Sequence, residues 1–166
     1  METNVILHDA VWSSGEFKIK MPCDISKIDS GKPAQELPGA EKTLSCVVGN
    51  LKFSVSSKKS KESLRAEFDE IKDEKTAKEI KSEEFIFIDY PHSKNSVRTR
   101  RIFGFPISSE IKFEIMKNRL YLIDDKWLIH FEVTCGSAEE KYCREKMNNG
   151  DDEQIDEFFN SLKLIK

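Results

Sequence analysis

The sequence contains none of the short motifs that identify a phosphate-binding or metal-binding site. Its seven glycines form neither a G-x-G-x-x-G nor a Walker pattern. The three histidines, His8, His92 and His130, are far apart and lack the spacing of metal ligands. Neighbouring acidic residues occur, but a chain with 30 Asp and Glu is expected to contain such pairs by chance. We therefore predict a protein that is not an enzyme and that uses no metal or cofactor.

Closely spaced cysteine pairs and long apolar runs are both absent. The four cysteines, Cys23, Cys46, Cys135 and Cys143, include no C-x-x-C pair. No apolar stretch approaches the roughly 20 residues that span a bilayer, and the first residues lack the basic and apolar regions of a signal peptide. These absences predict free thiols in a reducing cytosol, a cytoplasmic location and no membrane insertion.

The net charge is −3, whereas a general nucleic-acid binder is strongly basic. Its distribution along the chain is uneven. Residues 61–90 hold 6 Lys/Arg against 10 Asp/Glu, a balance of −4, and residues 137–158 hold 3 against 8, a balance of −5. Residues 92–120 between them hold 7 against 2, a balance of +5. A basic segment therefore lies between two acidic ones.

The chain does have enough apolar material for a core. It has 166 residues, of which 38% are apolar and 11 are phenylalanine, and a chain of this size buries about 70% of its unfolded surface. We predict a single domain over residues 1–166. A flexible loop is predicted near 24–41, where glycines and prolines cluster at Gly31, Pro33, Pro38 and Gly39.

Apolar periodicity predicts strands, then a helix, in the first half of the chain. Residues 17–21 alternate apolar and charged side chains, which indicates a strand ending at the following proline. Two β-prone runs on either side of Gly49-Asn50 predict a hairpin. Residues 60–81 change to spacings of three and four, which predicts an amphipathic helix with Ser60 or Ser63 as its N-cap.

The second half is predicted to contain short strands joined by turns, followed by helices. We expect a loop at 92–95, a strand end at Pro106, and turns at Lys117-Asn118 and at 124–126. Short turns require antiparallel neighbours. The predicted class is α+β, a central antiparallel sheet of about six strands flanked by helices. Its later strands are 85–88, 97–105, 111–115, 120–123 and 127–133, and its last helices are at 138–147 and from 151 onward.

Cys135 and His130 are the residues that could form a thiol nucleophile and its base. Side chains alternate between the two faces of a strand, so Cys135 is expected to share a face with Phe131 while His130 points to the other. We therefore expect the pair not to meet, and Cys135 to be a buried, inert cysteine. A small enzyme whose site includes Cys135, His92 or His130 remains an alternative that depends on the tertiary structure.

The basic segment supplies the candidate binding residues. Arg98 and Arg100 would share a strand face, and Phe103, Phe105 and Tyr121 lie nearby in the sequence, so a mixed basic and aromatic surface is conceivable. The competing interpretation is a solvated face that balances the acidic helix. The candidate partner-binding residues are Lys94, Arg98, Arg100, Arg101 and Arg119.

The layout resembles the PsbP/Mog-like domains, including small bacterial relatives of unknown role. Trp12 precedes the strand 17–21 and its proline, and Gly104-Phe105-Pro106 is followed by a strand. Residues 118–123 contain an R-x-Y strand, and residues 156–164 are similar to a closing FF-x-S-L-K-L pattern. The resemblance implies an antiparallel sheet flanked by helices and a non-catalytic binding or assembly role, with partners that differ among members and no common catalytic residues.

Taken together, these features predict a non-enzymatic protein-interaction or assembly module whose partner is another protein of unknown identity. One alternative is nucleic-acid or anionic-ligand binding through the basic strand surface near 94–101, for which affinity would fall steeply with salt.

Overall fold

The computed structural model describes residues 8–12, 17–22, 42–82, 84–137, 140–148 and 153–165, and the loop predicted near 24–41 lies outside them. The described residues form nine strands and three helices. In chain order these are β1 (His8–Trp12), β2 (Phe17–Met21), β3 (Lys42–Val48), β4 (Leu51–Lys59), α1 (Arg65–Glu74), β5 (Glu79–Lys81), β6 (Ile86–Ile102), β7 (Phe105–Ile123), β8 (Trp127–Ser137), α2 (Glu140–Asn148), α3 (Glu153–Phe159) and β9 (Lys163–Leu164).

The strands form two antiparallel sheets. The larger has six strands in the order β3-β4-β8-β7-β6-β5, and the smaller has three in the order β1-β2-β9. The predicted antiparallel sheet of six strands is therefore confirmed. The hairpin predicted around Gly49-Asn50 is also confirmed as β3 and β4, and Gly49 has a φ of +60°, a conformation that glycine adopts without a steric penalty.

Each face of the six-stranded sheet packs against its own hydrophobic cluster. Alternation along β8 places Phe131 and Cys135 on one face, in a cluster that includes Phe17 of β2 and Phe158 of α3. Leu128 lies on the opposite face, in a second cluster that includes Phe68 of α1. Residues of β2 and α3 therefore pack on one face of the sheet, and residues of α1 pack on the other.

Helix α1 is shorter than the pattern at 60–81 predicts. It begins at Arg65 and ends at Glu74, and its N-cap residue is Leu64 rather than the predicted Ser60 or Ser63. The Ser63 hydroxyl nevertheless accepts a hydrogen bond from the backbone N–H of Arg65 at 3.2 Å. Thr76 has a φ of +49°, which ends the helical path, and residues 79–81 form β5 instead. The helical prediction was wrong there because pairing with β6 determines the conformation of that segment.

Four predicted boundaries in the second half were wrong, because β6 and β7 are continuous strands of 17 and 19 residues. The predicted loop at 92–95 lies inside β6. The predicted strand end at Pro106 and the predicted turn at Lys117-Asn118 lie inside β7. The predicted strand at 97–105 includes the residues that form the actual turn. Pro91 and Pro106 are tolerated because each lies where its strand has only one described neighbour. Asn118 is buried in the sheet, where it is hydrogen-bonded to His130.

The prediction of free thiols was also wrong. Cys135 at the end of β8 forms a disulfide with Cys143 of α2, with their Cα atoms 5.6 Å apart. Cys46 is disulfide-bonded as well, and Cys23 lies outside the described residues. Sequence spacing could not reveal the Cys135–Cys143 bond, because it depends on how α2 folds back onto the end of the sheet.

Candidate functional site

A two-stranded hairpin extends beyond the body of the larger sheet. Strands β6 and β7 pair from Ile86 to the turn after Ile102, but β8 pairs with β7 only as far as Phe113, and β5 pairs with β6 only up to Ile88. Residues 96–112 therefore form a ribbon with no third described strand, which we call the hairpin arm. At about 3.3 Å per residue, it extends roughly 20–25 Å past the end of the β7–β8 pairing.

The tip of the hairpin arm is apolar and exposed. The side chain of Phe103 is 96% exposed, that of Phe105 is 74% exposed and that of Ile102 is 53% exposed. Phe103 and Gly104 form the two-residue turn, and both have positive φ, +50° and +85°. Such turns favour Asn-Gly, and a bulky residue at positive φ is a genuine outlier. The tip therefore has an aromatic residue where hairpin stability would favour asparagine.

The basic candidate residues lie along the same hairpin. Lys94, Arg98, Arg100 and Arg101 all belong to β6, and a register shift after Arg100 brings Arg101 opposite Pro106. Arg101 is exposed beside the apolar tip, whereas the side chains of the other three lie outside the described part of the chain. The hairpin arm itself holds four Lys/Arg against one Glu, a balance of +3. Tyr121, one of the three aromatic residues suggested for a mixed basic and aromatic surface, is buried in the core.

Arg119, the fifth candidate, lies in the body of the protein and has several partners there. Its Nε and Nη2 atoms donate to the two carboxylate oxygens of Asp89 at 2.6 and 3.0 Å. Its Nη1 atom donates to Asn160 Oδ1 at 2.7 Å and to the Phe159 carbonyl at 3.1 Å, and its guanidinium lies 4.3 Å from the centre of the Phe87 ring. Arg119 therefore connects β6 and β7 to the end of α3 and is separate from the hairpin arm.

Tyr121 reinforces the contact between β7 and α3. Its hydroxyl donates to the Phe159 carbonyl at 2.6 Å and accepts a hydrogen bond from Arg119 at 3.2 Å. Burial raises the pKa of this phenol, so it remains a protonated donor throughout the neutral pH range.

Replacing Arg119 by lysine is expected to lower the free energy of unfolding by about 1–2 kcal/mol, because an ammonium group cannot reproduce the bidentate contact with Asp89 and the contacts with α3. Arg101→Lys is the matched control and is expected to change it by no more than about 0.5 kcal/mol. Chemical denaturation of both variants measures the difference. Equal stabilities for the two would contradict a structural role for Arg119.

His130 and Cys135 lie on opposite faces of the sheet, as strand alternation predicts. His130 is buried, its Nε2 donates to Asn118 Oδ1 at 2.9 Å, and its ring stacks on Tyr90 with ring centres 6.3 Å apart. Burial lowers the pKa of His130 to about 4. Cys135 belongs to the other face and to a disulfide. The thiol and imidazole therefore cannot act together, and in the described part of the chain no group of three or more His, Cys, Asp or Glu could hold a metal.

A second surface feature was missed by the sequence reasoning. An open depression of about 460 Å³ lies between the residues that precede β6 and strand β9. No local signal could have identified it, because its two walls are about 80 residues apart in the sequence and meet only through tertiary packing. Its lining residues are Ser82, Glu84, Phe85, Leu162, Lys163 and Leu164.

Comparisons with known proteins show a fold but no family. No family model matches this chain, and no curated protein matches it. A solved structure of a protein from Bacteroides thetaiotaomicron VPI-5482 is similar, with a TM-score of 0.51 and 11% identity. The match covers 95% of this chain and 48% of the other, so the chain spans about half of that protein's length. The three described helices are too short and too polar to cross a bilayer. What the comparisons show of this chain is therefore its fold, which it shares with part of the Bacteroides protein.

Proposed function

We propose that this chain is a non-enzymatic interaction or assembly module that contacts a protein partner through the hairpin arm. The observation that carries the proposal is the exposed apolar tip formed by Ile102, Phe103 and Phe105. Aromatic side chains and arginines contribute most of the binding free energy in many protein interfaces, and Arg101 is exposed beside these residues. The resemblance to PsbP/Mog-like domains agrees with a binding or assembly role and remains part of the proposal.

Stability of the isolated chain does not account for the residues at the tip. The exposed rings of Phe103 and Phe105 bury little apolar surface, and the positive φ of Phe103 is a conformation that a bulky side chain rarely adopts. Backbone strain of this kind costs of the order of 1–3 kcal/mol and is concentrated at functional sites. Contact with a partner would bury the rings and offset the strain.

A photoreactive benzoylphenylalanine in place of Phe103 is expected to form a covalent adduct with one defined protein in the source cells. The same residue in place of Val47, which is 67% exposed on β3, is the matched control and should not form that adduct. Mass spectrometry of the adducts measures the difference. Identical adducts at both positions, or none at Phe103, would remove the support for an interaction through the arm.

The basic balance of the hairpin arm supports a second function, binding of nucleic acid or another anionic ligand. Titration of a single-stranded DNA oligonucleotide at increasing salt separates the two functions. An electrostatic contact predicts that the logarithm of affinity falls linearly with the logarithm of salt concentration. Affinity that is lost in Arg101→Glu but unchanged in Phe105→Ser would favour the anionic ligand, and no binding even at low salt would favour the protein partner.

The disulfide between Cys135 and Cys143 indicates the kind of cellular compartment in which the protein is found. Disulfides persist in oxidising environments and are rare in the cytosol. The bond therefore favours an oxidising compartment over the cytoplasmic location that the sequence predicts. Alkylation of the protein purified directly from its source cells tests this, since cysteines in an intact disulfide resist modification until a reductant is added.

A further inference from the structure

We propose that the partner of the hairpin arm is a second copy of this chain, and that the arm tip of each copy inserts into the depression between β6 and β9 of the other. This inference rests on the proposed function and identifies its partner. The apolar tip and the depression would then be the two halves of one interface.

The distribution of exposed apolar side chains supports this pairing. Among the residues whose side chains the structure describes, six large hydrophobic side chains are exposed. Three of them, Ile102, Phe103 and Phe105, form the arm tip. Two more, Ile80 and Ile165, are close in sequence to residues that line the depression, and only Val47 belongs to neither place. Half of these exposed side chains therefore lie at the protruding tip, and two of the other three are within two residues of ones that line the recess.

The recess has a size and lining that suit the tip. Phe85, Leu162 and Leu164 give the depression an apolar wall. The depression is open to solvent and has a volume of about 460 Å³.

Charge favours contact between two copies as well. The hairpin arm has a balance of +3 and the whole chain −3, so the remainder of each copy has a balance of −6. The tip extends beyond the body by more than the Debye length of about 8–10 Å, so the body of its own chain does not neutralise its field. The basic arm of one copy is therefore attracted to the acidic body of another.

The geometry requires two chains. The depression lies next to the start of β6, and the tip follows the end of the same strand, 16 residues later. This places them roughly 50 Å apart along an extended strand, so an arm cannot reach the depression of its own chain. Two copies side by side in opposite directions bring each tip to the other's depression. That arrangement is a closed two-fold dimer, the commonest symmetry of oligomers.

The test is sedimentation velocity of the full chain over a wide range of concentrations, with variants in each half of the contact. The tip variant is Phe103→Asn with Phe105→Thr, which retains the fold because asparagine suits the turn and threonine suits a strand. The recess variant is Lys163→Trp, which replaces an exposed lining residue with a large indole. Val47→Ser is the control, because it removes an exposed apolar side chain elsewhere.

We expect the wild-type chain to form a dimer. Each buried phenylalanine is worth at least a tenfold change in an equilibrium constant, and the two tips of the dimer together bury four of them, so the tip variant should raise the dissociation constant about ten-thousandfold. Lys163→Trp should also weaken the dimer, and Val47→Ser should leave it unchanged. An equimolar mixture of tip and recess variants retains one of the two contacts, so it should dimerise with an intermediate dissociation constant.

A wild-type chain that stays monomeric at every concentration would overturn the inference, as would a dimer that neither variant weakens. In the first case the proposed function is judged separately by the adduct at position 103, which would then identify a different protein. Vesicles of phosphatidylserine and phosphatidylcholine provide the remaining test. Co-sedimentation of a monomeric wild-type chain with them, lost in the tip variant, would assign the tip to a lipid surface and reject the second copy.

Discussion

Replacing Phe158 by alanine is expected to lower the free energy of unfolding by about 3–5 kcal/mol, which is typical when a buried aromatic side chain is removed from a close-packed core. Phe158 is fully buried, and its ring centre lies 5.1 Å from those of Phe53 and Phe131 and 5.6 Å from that of Phe159. These rings come from α3, β4 and β8, so the cavity would open where α3 packs on the sheet. The loss combines the transfer free energy of the ring with the contacts that its neighbours no longer make.

Phe105→Ala is the matched control, because the same side chain is removed from an exposed position in the hairpin arm. Its effect on the free energy of unfolding of the monomer, measured at concentrations too low for dimers to form, is expected to stay within about 0.5 kcal/mol. Urea denaturation monitored by circular dichroism measures both variants. If Phe105→Ala destabilised the chain as much as Phe158→Ala, the tip would be part of the folded core, and the proposed interaction surface would be lost.

Lowering the pH from 7 to 4 is expected to remove about 3 kcal/mol of stability through His130 alone. The folded-state pKa of His130 is lowered from 6.5 to about 4, firstly by burial and secondly by the nearby positive charge of Lys75. The unfolded chain therefore binds a proton more readily than the folded chain between these two values. This contribution is fully present above pH 6.5 and is lost as the pH falls towards about 4.

His130→Gln isolates this contribution, because glutamine can still donate to Asn118 but does not titrate in this range. The two proteins share every carboxylate, so the difference between their pH profiles reports on His130. Thermal or urea unfolding at several pH values from 7 to 4 gives these profiles. We expect the wild-type chain to lose about 3 kcal/mol more than the variant over this interval. If the stability of the two proteins fell in parallel with pH, the imidazole of His130 would be as easily protonated in the folded chain as in the unfolded chain.

Patterns that act within a few residues predicted this fold well. The β3–β4 hairpin followed from Gly49-Asn50 between two β-prone runs, and the opposite orientations of His130 and Cys135 followed from the alternation of a single strand. Both depend on backbone geometry that neighbouring residues determine. The predicted helix at 60–81 was correct in its centre, where the apolar stripe places Phe68 in a core, and wrong at its end, where β6 supplies hydrogen bonds to residues 79–81.

Prolines and polar residues were misleading in β6 and β7, because their effect depends on their position in the sheet. Pro106 does not end a strand that has only one described neighbouring strand there, and Asn118 does not form a turn because its side chain is hydrogen-bonded to His130 within the sheet. Two long strands were therefore predicted as several short ones, and the hairpin arm could not be recognised. Of the predicted binding residues, Arg101 is exposed beside the apolar tip, and Arg119 is held by Asp89 and α3.

The sequence by itself determined the antiparallel sheet, the amphipathic centre of α1, the faces of β8 and the basic segment between two acidic ones, because apolar periodicity and charge order are properties of the chain. Only the tertiary structure decided that Cys135 meets Cys143, that Ser82, Glu84 and Phe85 meet residues 162–164 at an open depression, and that the arm extends beyond its neighbouring strands. Those features depend on distances between residues far apart in the chain. They arise from packing, which no local pattern encodes.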